Sequence, residues 1–457
     1  MKDFLPVIKS GLGNKWLVPF ILCYGVIMWA FSQTTALIVG YVVLLILIFC
    51  LADDIKNIFA IILFVPLYIK DIMQELPIVL YGIAIGLAFI SFAVFIIRKK
   101  AWKGCIKKSG NMGLPLLIAT VAFLLGGVIG HFDVINFFIT FGLSVAAIIL
   151  YYFALNYTED FKKYLAFLFL CGAAAIVVQA FAASVFGINV KDSKGVVWIG
   201  TEGLNTVAIY LCLGMVGAFE LGKGQTDDWI MFLFATLFLF ATFRTICRTM
   251  IAVTFVAYVF CTVVTILASK NKLWFLTVIP FAAIFIGGMF LFFKDKTLTF
   301  FEALIQKFFY LGKTDGTMHG RIPLWKWCWG KFMESPVFGV GFITPENVPA
   351  IREPAAHFIL AHNTVLQWLT SLGIVGTLMM GYFYFVKYKT LITRSPKNNI
   401  FVIAAVLCVA ISGMMDQAAT MEFFVWMMPI LFISAVENER VPLKEENLDG
   451  NDKELDG

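Results

Sequence analysis

Charge is scarce in this chain. Only 14% of its 457 residues are Asp, Glu, Lys or Arg, whereas 61% are hydrophobic and the mean hydropathy is +0.89. A soluble domain cannot bury so much apolar surface, so the composition predicts an all-α polytopic membrane protein. The net charge of +6 is then explained by membrane topology, and no nucleic-acid partner is expected.

Motifs for metals and nucleotides are also missing. The nine cysteines include no CxxC pair, and the four histidines are too dispersed to form a metal site. No glycine-rich nucleotide-binding loop is present, and no DxD-like pair accompanies the polar residues considered below. The sequence therefore predicts a protein that uses neither a metal ion nor another cofactor.

Long apolar runs predict about 12–14 transmembrane helices in one membrane domain, residues 1–436. A long polar loop, residues 294–362, interrupts them, and the acidic segment 437–457 is predicted to be a disordered tail. The runs occupy residues 16–32, 35–52, 57–70, 77–97, 112–130, 134–154, 164–187, 204–222, 229–243, 249–268, 273–293, 364–386, 399–414 and 422–436.

Lys and Arg residues predict the orientation. With the N-terminus inside, most of the 35 basic residues fall in cytoplasmic loops. Both termini are then cytoplasmic, and the loop 294–362 is external. The short external loops keep only Lys70, Lys191, Lys194, Arg244 and Arg248.

Three arginines are candidates for binding an anion on the external side. Arg244 and Arg248 lie four residues apart where one apolar run ends and the next begins, and this spacing predicts that one helical face presents both. Arg321 begins a segment in which Ile322, Trp325 and Trp329 recur at helical spacing, as in an amphipathic helix bound to membrane lipid. The alternatives are snorkelling arginines and a helix that serves only as an anchor.

His362 is the candidate general base, because an imidazole can accept a proton near neutral pH. Asn363 follows it, and Asp416 at the external end of a later run could pair with an arginine or orient the histidine. The alternatives are a His-Asn pair that caps a helix and a solvated aspartate. His357 is a weaker candidate on the same loop.

Arginines suit the binding of a diphosphate, and the histidine suits the activation of a sugar hydroxyl. Positive charge can neutralise a diphosphate leaving group without a metal ion. These residues therefore predict a metal-independent transferase that acts on a lipid-linked diphospho-sugar at the outer leaflet.

The ordered motifs over residues 240–420 resemble those of the O-antigen ligase/polymerase family of bacterial membrane glycosyltransferases. They are the CRTMIAV segment with Arg248, Arg321-x3-Trp325 followed by Pro336-x2-Gly339-x-Gly341, His362-Asn363-x9-Gly373-x2-Gly376-Thr377, and the late Asp416.

The resemblance implies a type-C glycosyltransferase fold in the bacterial inner membrane, with the active site on the periplasmic side. It implies inverting transfer of a glycan from undecaprenyl diphosphate, with His362 as the base and the matching arginines binding the diphosphate. For a ligase the acceptor is a lipid A-core sugar, and for a polymerase it is a second lipid-linked glycan. The ligase is favoured because the His-Asn motif runs through to Thr377; a transporter is the third hypothesis.

Overall fold

The computed structural model describes residues 4–69, 78–100, 110–129, 134–186, 204–223, 228–245, 247–268, 316–341, 361, 363–394, 398–415 and 423–439. Within these ranges every regular element is a helix, which confirms the predicted all-α class. The α-helices are α1 (Phe4–Gly13), α2 (Leu17–Ala30), α3 (Thr34–Leu51), α4 (Ile58–Phe64), α5 (Ile78–Lys99), α6 (Gly113–Ile129), α7 (Val134–Asn156), α8 (Phe161–Phe186), α9 (Leu204–Gly222), α10 (Asp228–Arg244), α11 (Arg248–Ala268), α12 (Gly316–Glu334), α13 (Thr364–Thr393), α14 (Ile400–Met415) and α15 (Phe423–Asn438).

A described helix lies in every predicted apolar run except 273–293, which is outside the described residues. By length and composition, five of the described helices can cross a membrane, and a sixth span results if α1 and α2, bent by 72°, are taken together. This supports a multi-pass membrane protein. Further apolar stretches of the described residues, such as Trp229–Arg244 and Ile400–Gly413, are shorter than 18 residues, so the number of 12–14 spans stays a prediction. The five are Thr34–Leu51, Phe161–Ala183, Asn205–Gly222, Thr249–Ala268 and Thr364–Thr393.

Helix α9 lies at the centre of the bundle and packs against α8, α10, α11 and α14. Two glycines on α9 allow α8 to approach closely. A β-carbon at Gly214 would lie 2.2 Å from the β-carbon of Ala173, and one at Gly217 would lie 2.6 Å from the carbonyl oxygen of Ala166. Small residues at such contacts are typical of helix packing in membranes, where close van der Waals contact stabilises the association.

The predicted start of the disordered tail at residue 437 is wrong. Helix α15 continues to Asn438, and residues 437–439 form hydrogen bonds and an ion pair with other parts of the chain. Glu437 accepts a hydrogen bond from the backbone N–H of Asn111 at 2.7 Å and another from the Tyr151 hydroxyl. Asn438 donates to the carbonyl oxygens of residues 154, 155 and 158, each at 3.1 Å. Glu439 pairs with Lys162 at 2.8 Å. Residues 440–457 lie outside the described part.

Helix α12 is the segment predicted to be an amphipathic helix. Leu324, Cys328 and Phe332 recur at intervals of four residues and are buried. On the adjacent face of the helix, Trp329 and Met333 are 51% and 60% exposed. One-sided burial of this kind places the inner face of α12 against α13, which carries the His-Asn motif at its N-terminus.

Candidate active site

Helix α13 is broken at Gly373, within the Gly-x2-Gly part of the His-Asn motif. Gly373 has φ 64° and ψ −167°, a conformation that residues with a β-carbon rarely adopt. The break leaves backbone N–H groups without partners inside the helix. Carbonyl oxygens of the segment 336–341 accept hydrogen bonds from two of these groups. Ile374 N–H donates to the Pro336 carbonyl oxygen at 2.9 Å, and Val375 N–H donates to that of Val337 at 3.1 Å.

The same segment also donates to the end of the first half of α13. Val340 N–H donates to the Thr370 carbonyl oxygen at 2.9 Å, and Gly341 N–H donates to that of Ser371 at 3.1 Å. Gly339 and Gly341 take φ values of 75° and 79°, which turn the chain after α12. Two motifs that are far apart in the sequence are thus joined by two pairs of backbone hydrogen bonds. These bonds satisfy the N–H and carbonyl groups that the break in α13 leaves without helical partners.

Gly376, the second glycine of the motif, is required by the same break. A β-carbon at this position would lie 2.4 Å from the β-carbon of Leu372, four residues earlier. In a regular helix those two positions are well separated, so the kink at Gly373 brings them together. The spacing of the two glycines therefore has a structural cause: the first turns the backbone, and the second makes room for Leu372.

The chain just before α13 is held by side chains from two helices. The Trp325 indole N–H on α12 donates to the Ala361 carbonyl oxygen at 2.7 Å. The Ala361 N–H donates to Oε1 of Gln367 on α13 at 2.9 Å. Asn363 is the N-cap of α13, and its Oδ1 accepts from the Leu366 N–H at 3.0 Å. Ala361 and Asn363, the two neighbours of His362 in sequence, are therefore both fixed.

Apolar contacts and one further hydrogen bond hold α12 against this turn. Leu324, Cys328 and Ala361 form a small buried cluster. The Thr370 hydroxyl lies 3.2 Å from the Cys328 carbonyl oxygen and 2.7 Å from that of Leu366, to which it can donate. Burial raises the pKa of the Cys328 thiol to about 11, so it is a packing residue and not a nucleophile at neutral pH.

The two clustered arginines stand on either side of a helix junction. α10 ends at Arg244 and α11 begins at Arg248, as the apolar pattern predicted. The expectation that one continuous helical face presents both is wrong. The Thr245 hydroxyl donates to the Thr242 carbonyl oxygen at 2.8 Å and accepts from the Cys247 N–H at 3.4 Å. These bonds replace those of a continuing helix.

The predicted site residues are described to different extents. Arg321 lies on α12 four residues before Trp325, and Arg248 is the first residue of α11; of both, the structure describes the backbone only. His362 and Asp416 lie outside the described residues, so their predicted roles stay predictions. The described residues contain no group of three His, Cys, Asp or Glu side chains that could hold a metal ion.

Sequence reasoning did not single out Gln367, Thr370 or Ser371. Together with Thr364, whose hydroxyl donates to the Gly413 carbonyl oxygen at 2.6 Å, they are buried polar residues in the first turns of an apolar helix. Their spacing of three and four residues was the available signal, since it places polar groups on one helix face. Sequence reasoning also did not identify the hydrogen bond from the Trp325 indole N–H to the carbonyl oxygen of Ala361, the residue before His362.

Part of the chain matches a known protein family. Residues 230–381 match the family model described as O-antigen ligase, a stretch that contains every predicted site residue except Asp416. Among curated proteins, none matches the chain. The family implies a glycosyltransferase-like reaction on lipid-linked glycans. The resemblance found in the sequence is thus confirmed, and a domain of the O-antigen ligase superfamily occupies residues 230–381 of this chain.

Proposed function

We propose that this protein is an O-antigen ligase. It transfers a glycan from undecaprenyl diphosphate to a sugar hydroxyl of lipid A-core, at the outer leaflet of the bacterial inner membrane. The reaction needs no metal ion and inverts the anomeric centre. Both termini of the chain are cytoplasmic, and the active site faces the periplasm. The family match over residues 230–381 supports the donor class, and the site residues support the mechanism.

His362 acts as the general base in this proposal. The oxygen of the acceptor hydroxyl attacks the anomeric carbon of the donor sugar while the imidazole accepts the hydroxyl proton. The bond between the anomeric carbon and the diphosphate oxygen breaks, and undecaprenyl diphosphate leaves with the electron pair. Attack from the face opposite the leaving group inverts the configuration. Asp416 supports the site by orienting the histidine or pairing with an arginine.

Arg248, Arg321 and Arg244 bind the diphosphate. Guanidinium groups form bidentate hydrogen bonds with phosphate oxygens and offset the charge that develops as the bond breaks. Arg248 is also the first residue of α11, where the positive end of the helix dipole favours an anion.

The observation that carries the proposal is the attachment of α12 to the turn before α13. Trp325 lies one helical turn after Arg321 and bonds Ala361, the residue before His362. The helix that carries a proposed diphosphate ligand is thus joined directly to the segment that carries the proposed base. Preorganisation of this kind is required when catalysis depends on the relative placement of a base and a charged leaving group.

The test is a transfer assay with purified full-length protein in detergent and EDTA. Undecaprenyl-diphosphate glycan is the donor, offered once with lipid A-core acceptor and once alone. His362→Ala is compared with His357→Ala, a matched control five residues earlier on the same loop. We expect product only with lipid A-core, loss of transfer in His362→Ala, and near-normal transfer in His357→Ala.

Other outcomes have definite meanings. Longer chains formed from the donor alone would identify a polymerase that uses the same donor. A strict requirement for a divalent cation would contradict diphosphate binding by arginines alone. Full activity of His362→Ala would remove the general-base assignment, and absence of transfer under every condition would favour a transporter.

A further inference from the structure

We infer that Gln367 is a positioning residue for His362: its side chain holds the peptide group of Ala361 and so fixes the base for proton transfer. The inference rests on the proposed role of His362. Gln367 lies in the second turn of α13 and is 6% exposed. Its role differs from that of a catalytic residue, because it contacts the neighbour of the base and not the substrate.

Both ends of the Gln367 amide are engaged. Oε1 accepts from the Ala361 N–H at 2.9 Å, and Nε2 donates to the Ser371 hydroxyl at 2.9 Å. The backbone carbonyl oxygen of Ser371 in turn accepts a hydrogen bond from the Gly341 N–H. A buried amide is costly unless its groups are paired, and here the pairing selects one amide orientation. The oxygen therefore faces the chain just before His362.

The second bond to Ala361 comes from α12. Ala361 is fully buried; its N–H is bonded to Gln367 and its carbonyl oxygen to the Trp325 indole. On the other side of His362, Asn363 caps α13. The two residues that flank position 362 in the sequence are therefore both held by hydrogen bonds.

Gln367 is not needed merely to attach α12 to α13. The Thr370 hydroxyl on α13 already lies within hydrogen-bonding distance of the Cys328 carbonyl oxygen on α12. Four backbone hydrogen bonds also join segment 336–341 to α13. What Gln367 adds is its bond to Ala361. Loss of this bond should therefore affect the placement of the base more than the assembly of the two helices.

A matched pair of substitutions tests this role. Gln367→Met keeps the length of the side chain and its helix propensity but removes both hydrogen bonds. Gln367→Glu keeps an oxygen that can accept from Ala361. Because a small misplacement of a catalytic group can cost about 100-fold in rate, we expect Gln367→Met to lower kcat by about 10–100-fold. The KM for the lipid-linked donor should change by less than about 3-fold, since the diphosphate ligands are untouched.

The assay is donor-to-acceptor transfer by the full-length protein, with thermal melting of each variant in the same detergent. We expect Gln367→Glu to recover most of kcat, and Gln367→Met to melt within a few degrees of wild type. A Gln367→Met protein with wild-type kcat, or one that loses donor binding and kcat together, would overturn the inference. If Gln367→Met fails to fold, Trp325→Phe removes the other bond to Ala361 and must lower kcat in the same way.

Failure of this inference is distinguishable from failure of the proposed function. An inactive His362→Ala together with a fully active Gln367→Met would leave the base in place and refute only the positioning role. An active His362→Ala would refute the base itself, whatever the result at position 367.

Discussion

Gly339 and Gly373 lie against each other so closely that neither can carry a side chain. A β-carbon on Gly339 would lie 2.6 Å from the backbone nitrogen of Gly373, and one on Gly373 would lie 2.4 Å from that of Gly339. Both residues also have positive φ angles. The contact joins the turn after α12 to the break in α13, and it therefore sets the distance between the two motif segments.

Alanine at either glycine should destabilise the protein and abolish transfer. A left-handed backbone costs a residue with a β-carbon about 1–2 kcal/mol, and the clash with main-chain atoms adds to this. Gly381→Ala is the control, because that position on the same helix has no neighbour within 4 Å. Melting temperatures in detergent should fall for Gly339→Ala and Gly373→Ala but not for Gly381→Ala. Equal melting of all three would refute the close contact.

Arg321→Ala should weaken donor binding. Loss of a hydrogen bond to a charged group costs about 1.5–3 kcal/mol, which corresponds to roughly a 10–150-fold increase in KM for the lipid-linked donor. Arg321→Lys should recover part of this loss, because lysine keeps the charge but lacks the bidentate geometry. Steady-state kinetics with Lys326→Ala as the control, an exposed cation on the same helix, provides the measurement. A wild-type KM in Arg321→Ala would remove Arg321 from the donor site.

The thiol of Cys328 should resist labelling in the folded protein. It is 2% exposed, and its pKa is raised to about 11, so the reactive thiolate is rare at pH 7. A cysteine introduced by Gly330→Cys on the same helix has open space around it and should react readily with a maleimide. Mass spectrometry of labelled peptides at pH 7 and pH 9 checks this. Rapid labelling of Cys328 in the wild-type protein would contradict the packing of α12 on α13.

Much of this arrangement could be predicted from sequence where the cause is local. Apolar runs located the helices, and the glycines of the two motifs coincide with the break in α13 and the turn after α12. Asn363 was considered as part of a helix cap, and it is one. Each of these features depends on residues that are close together in the chain.

The remaining features depend on contacts that no local pattern encodes. The bond from Trp325 to Ala361 spans 36 residues, and it required α12 to be placed against α13. The apolar pattern predicted where α10 ends and α11 begins, but it did not predict the hydrogen bonds of the Thr245 hydroxyl within the junction. The roles of His362 and Asp416 stay predictions.

Truncation should separate the bonded end of α15 from the acidic segment that follows. A chain that stops after Glu439 keeps the bonds of residues 437–439 and should melt like the full-length protein. A chain that stops after Val436 loses them and leaves buried groups near Asn111 and Lys162 without these partners, at about 1–3 kcal/mol for each. Melting curves and yields in detergent would show the difference, and equal stability of the two truncations would contradict it.

Residues 437–439 also determine when the helix bundle is completed during synthesis. Glu437 accepts a hydrogen bond from Asn111, which lies 326 residues earlier in the sequence. At about 5–20 residues per second, a ribosome needs roughly 15–65 s to make the intervening chain. Helices α6, α7 and α8 are made early in that interval, before the groups of α15 to which they are bonded. The bundle is therefore incompletely bonded for that time, and the last helix to be made supplies the groups that complete it.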